Sequence, residues 1–269
     1  MALPVIGYRS MLRESATVIT DPGTASGYDI NDIADLKSYS GWVSDTTVKP
    51  INIDIDTNAT AQADYIAIVN SNLATLGATV QVLSGTSSPG ATERLAATAV
   101  STDNVWYQGF TEATAERYWR IAITVAGASF ASAPSAFEIF LGMKTELPEY
   151  LAPSFDPYLR DVEMQGSRSA GGHFLGGLTR GQTHRGTLAF GEAGIAKAYY
   201  TSDLNTFLHD HAFHRKPFVF VLDTDDADFD TAYYLRLTDN ARTPRQAVGN
   251  SWLRMTADLE VEEAYVEPA

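Results

Sequence analysis

The sequence contains no cysteine among its 269 residues, which excludes a disulfide framework and a thiolate metal site. It also lacks long apolar runs: no stretch approaches the roughly 20 apolar residues that a membrane-spanning helix needs. The opening Met1–Arg9 segment has neither the basic start nor the apolar core of a secretory signal, so synthesis and assembly in the cytoplasm are expected. Positive charge is scarce, with 19 Lys/Arg against 33 Asp/Glu and a net charge of -14. No Lys/Arg cluster stands out: Met1–Pro148 holds 8 basic and 15 acidic residues, the remainder 11 and 18. Phosphate binding needs a concentrated positive field, so nucleic acid and anionic membranes are disfavoured as partners.

What is present is globular composition, 45% hydrophobic and 19% charged, over a length that fits two ordinary domains. The first half reads as short strands separated by turn clusters. Ile51-Asn52-Ile53-Asp54-Ile55-Asp56 alternates with period two, which places the isoleucines on one buried face. Ala63–Val69, Ala78–Leu83, Arg117–Val125 and Ser135–Gly142 are further strands, and Ser84–Gly90 is a Ser/Gly/Pro turn. Strands recurring at short intervals with no convincing long helix predict an antiparallel β-sandwich.

Pro148, Pro153 and Pro157 fall within ten positions. Proline removes a ladder donor and fixes φ, so 148–157 is expected to be a linker between a sandwich at 1–147 and a second domain at 158–269. In the second half, strands are predicted at Asp161–Ser169, Gln182–Phe190, Pro217–Leu222, Ala232–Thr238 and Trp252–Val266. One helix is predicted there, capped by Ser202, with Leu204, Phe207 and Leu208 at the spacing of a buried stripe. Gly171–Gly177 falls between strands as a hairpin tip or a mobile loop.

Candidate chemistry is thin. Asp223, Asp225 and Asp228 are the first choice for a bound cation, because carboxylates alternate along Asp223–Asp230. The run lacks the mid-loop glycine and distal glutamate of a calcium loop, so a solvated hairpin loop is preferred. His209, His211 and His214 are two, three and five positions apart and cannot all share one helical face. Ser26, Ser40, Ser84 and Ser167 adjoin glycine, but none sits in a Gly-x-Ser-x-Gly elbow. An enzyme is not expected. Trp106, Tyr107 and Phe110 are glycan-contact candidates, since aromatic faces pack on the apolar faces of pyranose rings; the alternation Trp106, Gln108, Phe110 equally suits a core-facing strand.

Four segments carry a resemblance: Tyr39-Ser40-Gly41-Trp42, Ile51–Ile55, Val80–Ser84 and above all Arg117-Tyr118-Trp119-Arg120-Ile121. At these residues the first half, roughly Tyr28–Leu141, resembles a discoidin-like, galactose-binding-type β-sandwich of jelly-roll kind. Sugar-binding members of that group use loop aromatics and acids. The second half, through its element order and the strand Met255–Tyr265, looks like the tail-tube-type β-barrel with one helix found in distal tail and other tail-tip proteins of long-tailed phages. The combination implies a mainly β, non-catalytic structural component of a virion. It would sit in the tail tip or baseplate region, form a homo-oligomeric ring, contact other tail proteins and reach a host-surface glycan, with no cofactor. A carbohydrate-binding protein without a virion role is the alternative, and a glycan-cleaving enzyme the third reading. In the ring, the acidic face of Trp252–Val266 is expected to look toward a lumen or solvent.

Overall fold

Alternation decides which side of each strand is buried. A computed structural model describes residues 3–37, 39–111, 114–147, 160–168, 170–171, 173–189, 204–224, 231–238, 245–248, 252–255, 258–264 and 267–268. The chain divides into two compact units, one of Ile6–Thr145 and one of Met1–Val5 with Glu146–Ala269. The linker expected at 148–157 lies outside the described residues.

In the first unit, nine strands form two antiparallel sheets. They are β1 (Val18–Thr20), β2 (Trp42–Val43), β3 (Ile51–Ala61), β4 (Tyr65–Ser71), β5 (Ala78–Gly85), β6 (Thr92–Ala99), β7 (Val105–Gly109), β8 (Glu116–Val125) and β9 (Ser135–Gly142). The five-stranded sheet runs β1-β3-β8-β5-β6 and the four-stranded sheet β2-β9-β4-β7. Ile53 of β3 pairs with Ile121 of β8, which pairs with Val82 of β5; Ile51, Ile123 and Val80 form the next row. These rows meet Ile66, Ile68, Ile139 and Leu141 of the other sheet in one core, with Trp42, Trp106 and Trp119 among the buried members. The unit is therefore a β-sandwich. Each such fully buried side chain contributes about 1.5–3 kcal/mol through the water it no longer orders.

The same alternation turns polar residues outward. Asp54 faces Arg120 across β3 and β8, and the two form a bidentate pair at 2.5 and 2.8 Å. Arg117 holds Asp56 in the same way at 2.7 and 2.9 Å. The two most telling stretches of the sequence, Ile51–Asp56 and Arg117–Ile121, are thus hydrogen-bonded neighbours.

In the second unit the strands are β10 (Arg160–Arg168), β11 (Phe174–Ala189), β12 (Phe218–Val221), β13 (Ala232–Leu237), β14 (Arg245–Val248), β15 (Trp252–Met255), β16 (Asp258–Glu263) and β17 (Glu267–Pro268). Five of them run in the order β12-β13-β16-β11-β10, and β17 also pairs with β11. The structure here is again mainly antiparallel β. The glycine run belongs to the β10–β11 hairpin, Gly166 and Ser167 pairing with Gly177 and Gly176; Gly176 sits at φ 140, where a side chain would be strained. The single strand expected over Trp252–Val266 is corrected to two. Trp252–Met255 pairs with Arg245–Val248, whereas Asp258–Glu263 pairs with β11 and β13, so each part takes a different hydrogen-bonding partner. A helical segment spans 204–214, π-type over Phe207–His211 and 3-10 over Ala212–His214. Leu204, Phe207 and Leu208 are fully buried, as their spacing predicts; Ser202 lies outside the described residues.

Candidate functional site

An N-terminal segment packs near β9 of the four-stranded sheet and shapes the candidate site. A 3-10 turn at Met11–Arg13 and another at Ile30–Ala34 pack near β9. Asp29 caps the second turn, its carboxylate accepting from the backbone and side-chain amides of Asn31, both at 2.9 Å. The turn ends at Asp35, and Leu36 then adopts φ 62, a left-handed conformation. That reversal lets the Leu36 amide donate to Glu138 Oε2 at 2.8 Å, in the middle of β9.

Glu138 is only 2% exposed at its side chain and is met by Arg13 Nη2 at 2.9 Å. The Arg13 guanidinium in turn lies 3.9 Å from the centre of the Phe140 ring. Burial pushes the Glu138 carboxyl up to about 7, against the opposing pull of Arg13 and the Leu36 amide. One buried acid therefore ties together the N-terminal segment, a central strand and the loop that follows Asp35.

Asp35 organises that loop. Its carboxylate accepts from the Lys37 amide, Lys37 Nζ and Ser40 Oγ, each at 2.8 Å. Partial burial raises its pKa, but the hydrogen bonds from Lys37 and Ser40 outweigh this and hold it below the usual carboxylate value. Asp35 in turn holds the Lys37 ammonium above its ordinary value. Gly41 permits the loop to close on β9, because a Cβ there would stand 2.8 Å from the Phe137 Cα. Trp42 then enters the core. On this braced loop Tyr39 is 80% exposed, and Tyr28, just before the same turn, is 50% exposed. The arrangement presents an aromatic face, an ammonium and an ionised carboxylate at the surface.

The sequence places Tyr39 close to Trp42 but carries no sign of its exposure. The aromatics chosen as glycan-contact candidates behave differently. Trp106 is 3% exposed and belongs to the core, since alternation along β7 turns it inward. Phe110 packs against that core, and Tyr107, on the other side of β7, stacks on Tyr65 at 5.8 Å. Asp223 is buried just past β12, and Asp225 and Asp228 lie outside the described residues. Of the three clustered histidines, His209 and His214 are exposed while His211 is buried, its Nε2 2.7 Å from the Pro217 carbonyl. Among the glycine-flanked serines, Ser40 bonds Asp35 and Ser84 accepts from Arg94 Nε at 2.7 Å. Among the described residues, no group of three His, Asp or Glu side chains is placed to hold a metal ion.

No family model matches the chain, and no curated protein matches it. Solved structures resemble part of it. The crystal structure of SpGH29 is similar over 51% of this chain and 28% of its own, at 14% identity and a TM-score of 0.41. The chitosan-binding module 1 from a chitosanase/glucanase of Paenibacillus sp. IK-5 matches over 50% of this chain and 98% of its own, at 18% identity and a TM-score of 0.39. A CBM32 module from a family 31 glycoside hydrolase of Clostridium perfringens matches over 48% and 94%, at 13% identity and a TM-score of 0.39. The chain thus spans well under two thirds of the SpGH29 length. The sandwich itself is defined by the strand order and the core shared by its two sheets.

Proposed function

We propose that the Ile6–Thr145 sandwich is a glycan-binding module that holds its ligand without cleaving it. The observation that carries this reading is Tyr39, a solvent-facing ring on a loop pinned at Asp35, Leu36 and Gly41. A rigid aromatic stacks on the apolar face of a sugar with little ordering cost. On the same loop Lys37 can donate and Asp35 can accept, matching sugar hydroxyls. Asp35, held ionised by its partners, suits hydrogen-bond acceptance better than proton donation. The resemblance to discoidin-like sandwiches, whose sugar-binding members use loop aromatics and acids, supports the same reading.

Titration of the full chain against a panel of neutral oligosaccharides tests it. Tyr39→Ala is expected to weaken binding on the order of tenfold, about 1.4 kcal/mol, while Tyr39→Trp retains it and both variants melt with the parent. Equal affinity in Tyr39→Ala would remove Tyr39 from the site, and no saturable binding to any glycan would sink the reading.

A second reading adds assembly: a ring-forming component of a phage-like tail tip, with other tail proteins as neighbours and a host-surface glycan as the sandwich's ligand. Support comes from the sequence resemblance of the second half and from the inside-outside alternation of Leu259, Glu260, Val261 and Glu262. Light scattering on the full chain at micromolar concentration is expected to report a closed oligomer; a monomer at every concentration would overturn it.

A further inference from the structure

The second unit holds a cleft of about 560 Å³ lined by Arg185, Arg215, Arg236, Thr238, Glu260 and Glu262. Its floor follows from strand register. Glu262 of β16 sits opposite both Arg185 of β11 and Arg236 of β13, so the three form a row across adjacent strands. Glu262 is 3.0 Å from Arg236 Nη2 and 3.6 Å from Arg185 Nη2. Glu260 lies two residues along the same strand, with Thr238 Oγ1 3.3 Å from its Oε2. Leu188, Leu259 and Val261 fill the opposite, buried face. Three guanidinium groups and two carboxylates thus line this face.

On a chain of net charge -14, such a grouping of arginines is an exception. It arises from residues far apart in sequence, which is why no basic cluster is visible there. Each guanidinium carries five N–H donors, more than the Glu262 carboxylate can accept from two of them. Arg185 Nη2 stands 3.6 Å from Glu262 and its side chain is 60% exposed, so its planar fork is accessible to an oxyanion from solution. Glu260 and Glu262 set the other half of the specificity. They would repel a multiply charged anion, but they accept hydrogen bonds from hydroxyl groups, and Thr238 both donates and accepts. The volume lies within the range of small-molecule sites.

From this geometry we infer that the cleft binds a polyhydroxylated monocarboxylate of the uronic-acid class, the carboxylate on the arginines and the hydroxyls on Glu260 and Thr238. The site lies on a different unit from Tyr39 and does not depend on the sandwich reading.

Calorimetric titration of the full chain at low salt with D-glucuronate, with glucose and inorganic sulfate as comparison ligands, tests it. Glucuronate is expected to saturate in the millimolar range or tighter, and both comparison ligands to bind at least fivefold more weakly. Arg185→Gln and Arg236→Gln should each lose at least fivefold in glucuronate affinity with an unchanged melting temperature, and Tyr39→Ala should change nothing. Arg185 is exposed enough that its variant keeps the fold. Glucose binding as well as glucuronate, sulfate binding as well as glucuronate, or unchanged affinity in Arg185→Gln would each overturn the inference.

Discussion

The two sheets of the sandwich handle the same chemistry, a carboxylate beside an arginine, in opposite ways. On the five-stranded sheet Asp54–Arg120 and Asp56–Arg117 are partly exposed, and Arg117 holds Asp56 below its ordinary pKa. On the four-stranded sheet Glu138–Arg13 is enclosed, and burial drives Glu138 the other way, to about 7. Water decides the difference: where the pair is partly exposed, both ions keep part of their hydration and the partner outweighs what is lost, whereas inside, the lost hydration exceeds what one partner returns. The partly exposed pairs fix which residue of β3 faces which residue of β8. The enclosed pair instead holds a loop.

The largest effect that sharpens this contrast is on neither pair. Trp119 lies between the two clamping arginines but points inward, so Trp119→Ala is expected to destabilise the sandwich by about 3–5 kcal/mol. Three of the four tryptophans, Trp42, Trp106 and Trp119, lie in the core cluster, so fluorescence during urea unfolding reads this unit. A near-neutral result would place the stability in the clamps and break the comparison.

Next is the enclosed acid. Its folded pKa is raised above the unfolded value of 4.5, so its contribution is fully present below about 4.5 and is lost as pH rises through about 7. Across that window the unit should lose on the order of 3 kcal/mol. Glu138→Gln should flatten the slope, and an identical pH profile in that variant would contradict the assignment. Arg120→Ala should cost on the order of 1 kcal/mol, because that pair is partly exposed, and the cost should shrink in high salt. Smallest is the acid arm. Asp56 has a lowered pKa, so its contribution is present above the unfolded value and lost as pH falls; Asp56→Asn should reduce the acid sensitivity while leaving the neutral slope intact. If Asp56→Asn altered the neutral slope instead, the two sheets would not titrate separately.

What the sequence revealed follows the same physics. The alternation of Ile51, Ile53 and Ile55 and the apolar stretch Ser135–Gly142 mark their strands because burial repeats at a fixed period. Thr92–Ala99 escaped notice because it is an edge strand on which Leu95 alone is buried. The turns at Met11–Arg13 and Ile30–Ala34 are too short to show a period. Glu138 reads as one polar residue in an apolar strand, and its partner stands 125 positions away, out of reach of any local pattern. Tyr39 is hidden for a related reason: its exposure depends on Leu36 bonding Glu138, 102 positions distant. Trp106 was ambiguous because an inward aromatic and a surface one share the same alternation, and only the opposing sheet decides between them.

The N-terminal segment near β9 also sets an order of events. Arg9 accepts from the Tyr65 hydroxyl at 2.6 Å, Ser10 Oγ accepts from the Leu141 amide at 3.3 Å, and Arg13 reaches Glu138. Two of these three contacts need β9, the last strand of the sandwich to leave the ribosome. Until then Met11 and Leu12, both core residues, have no finished surface to cover. Closing so long a segment exacts its chain entropy before the contacts return anything. The earliest residues of this unit to be synthesised are thus among the last that can settle, and during translation the core they complete stays open to whatever else is in solution.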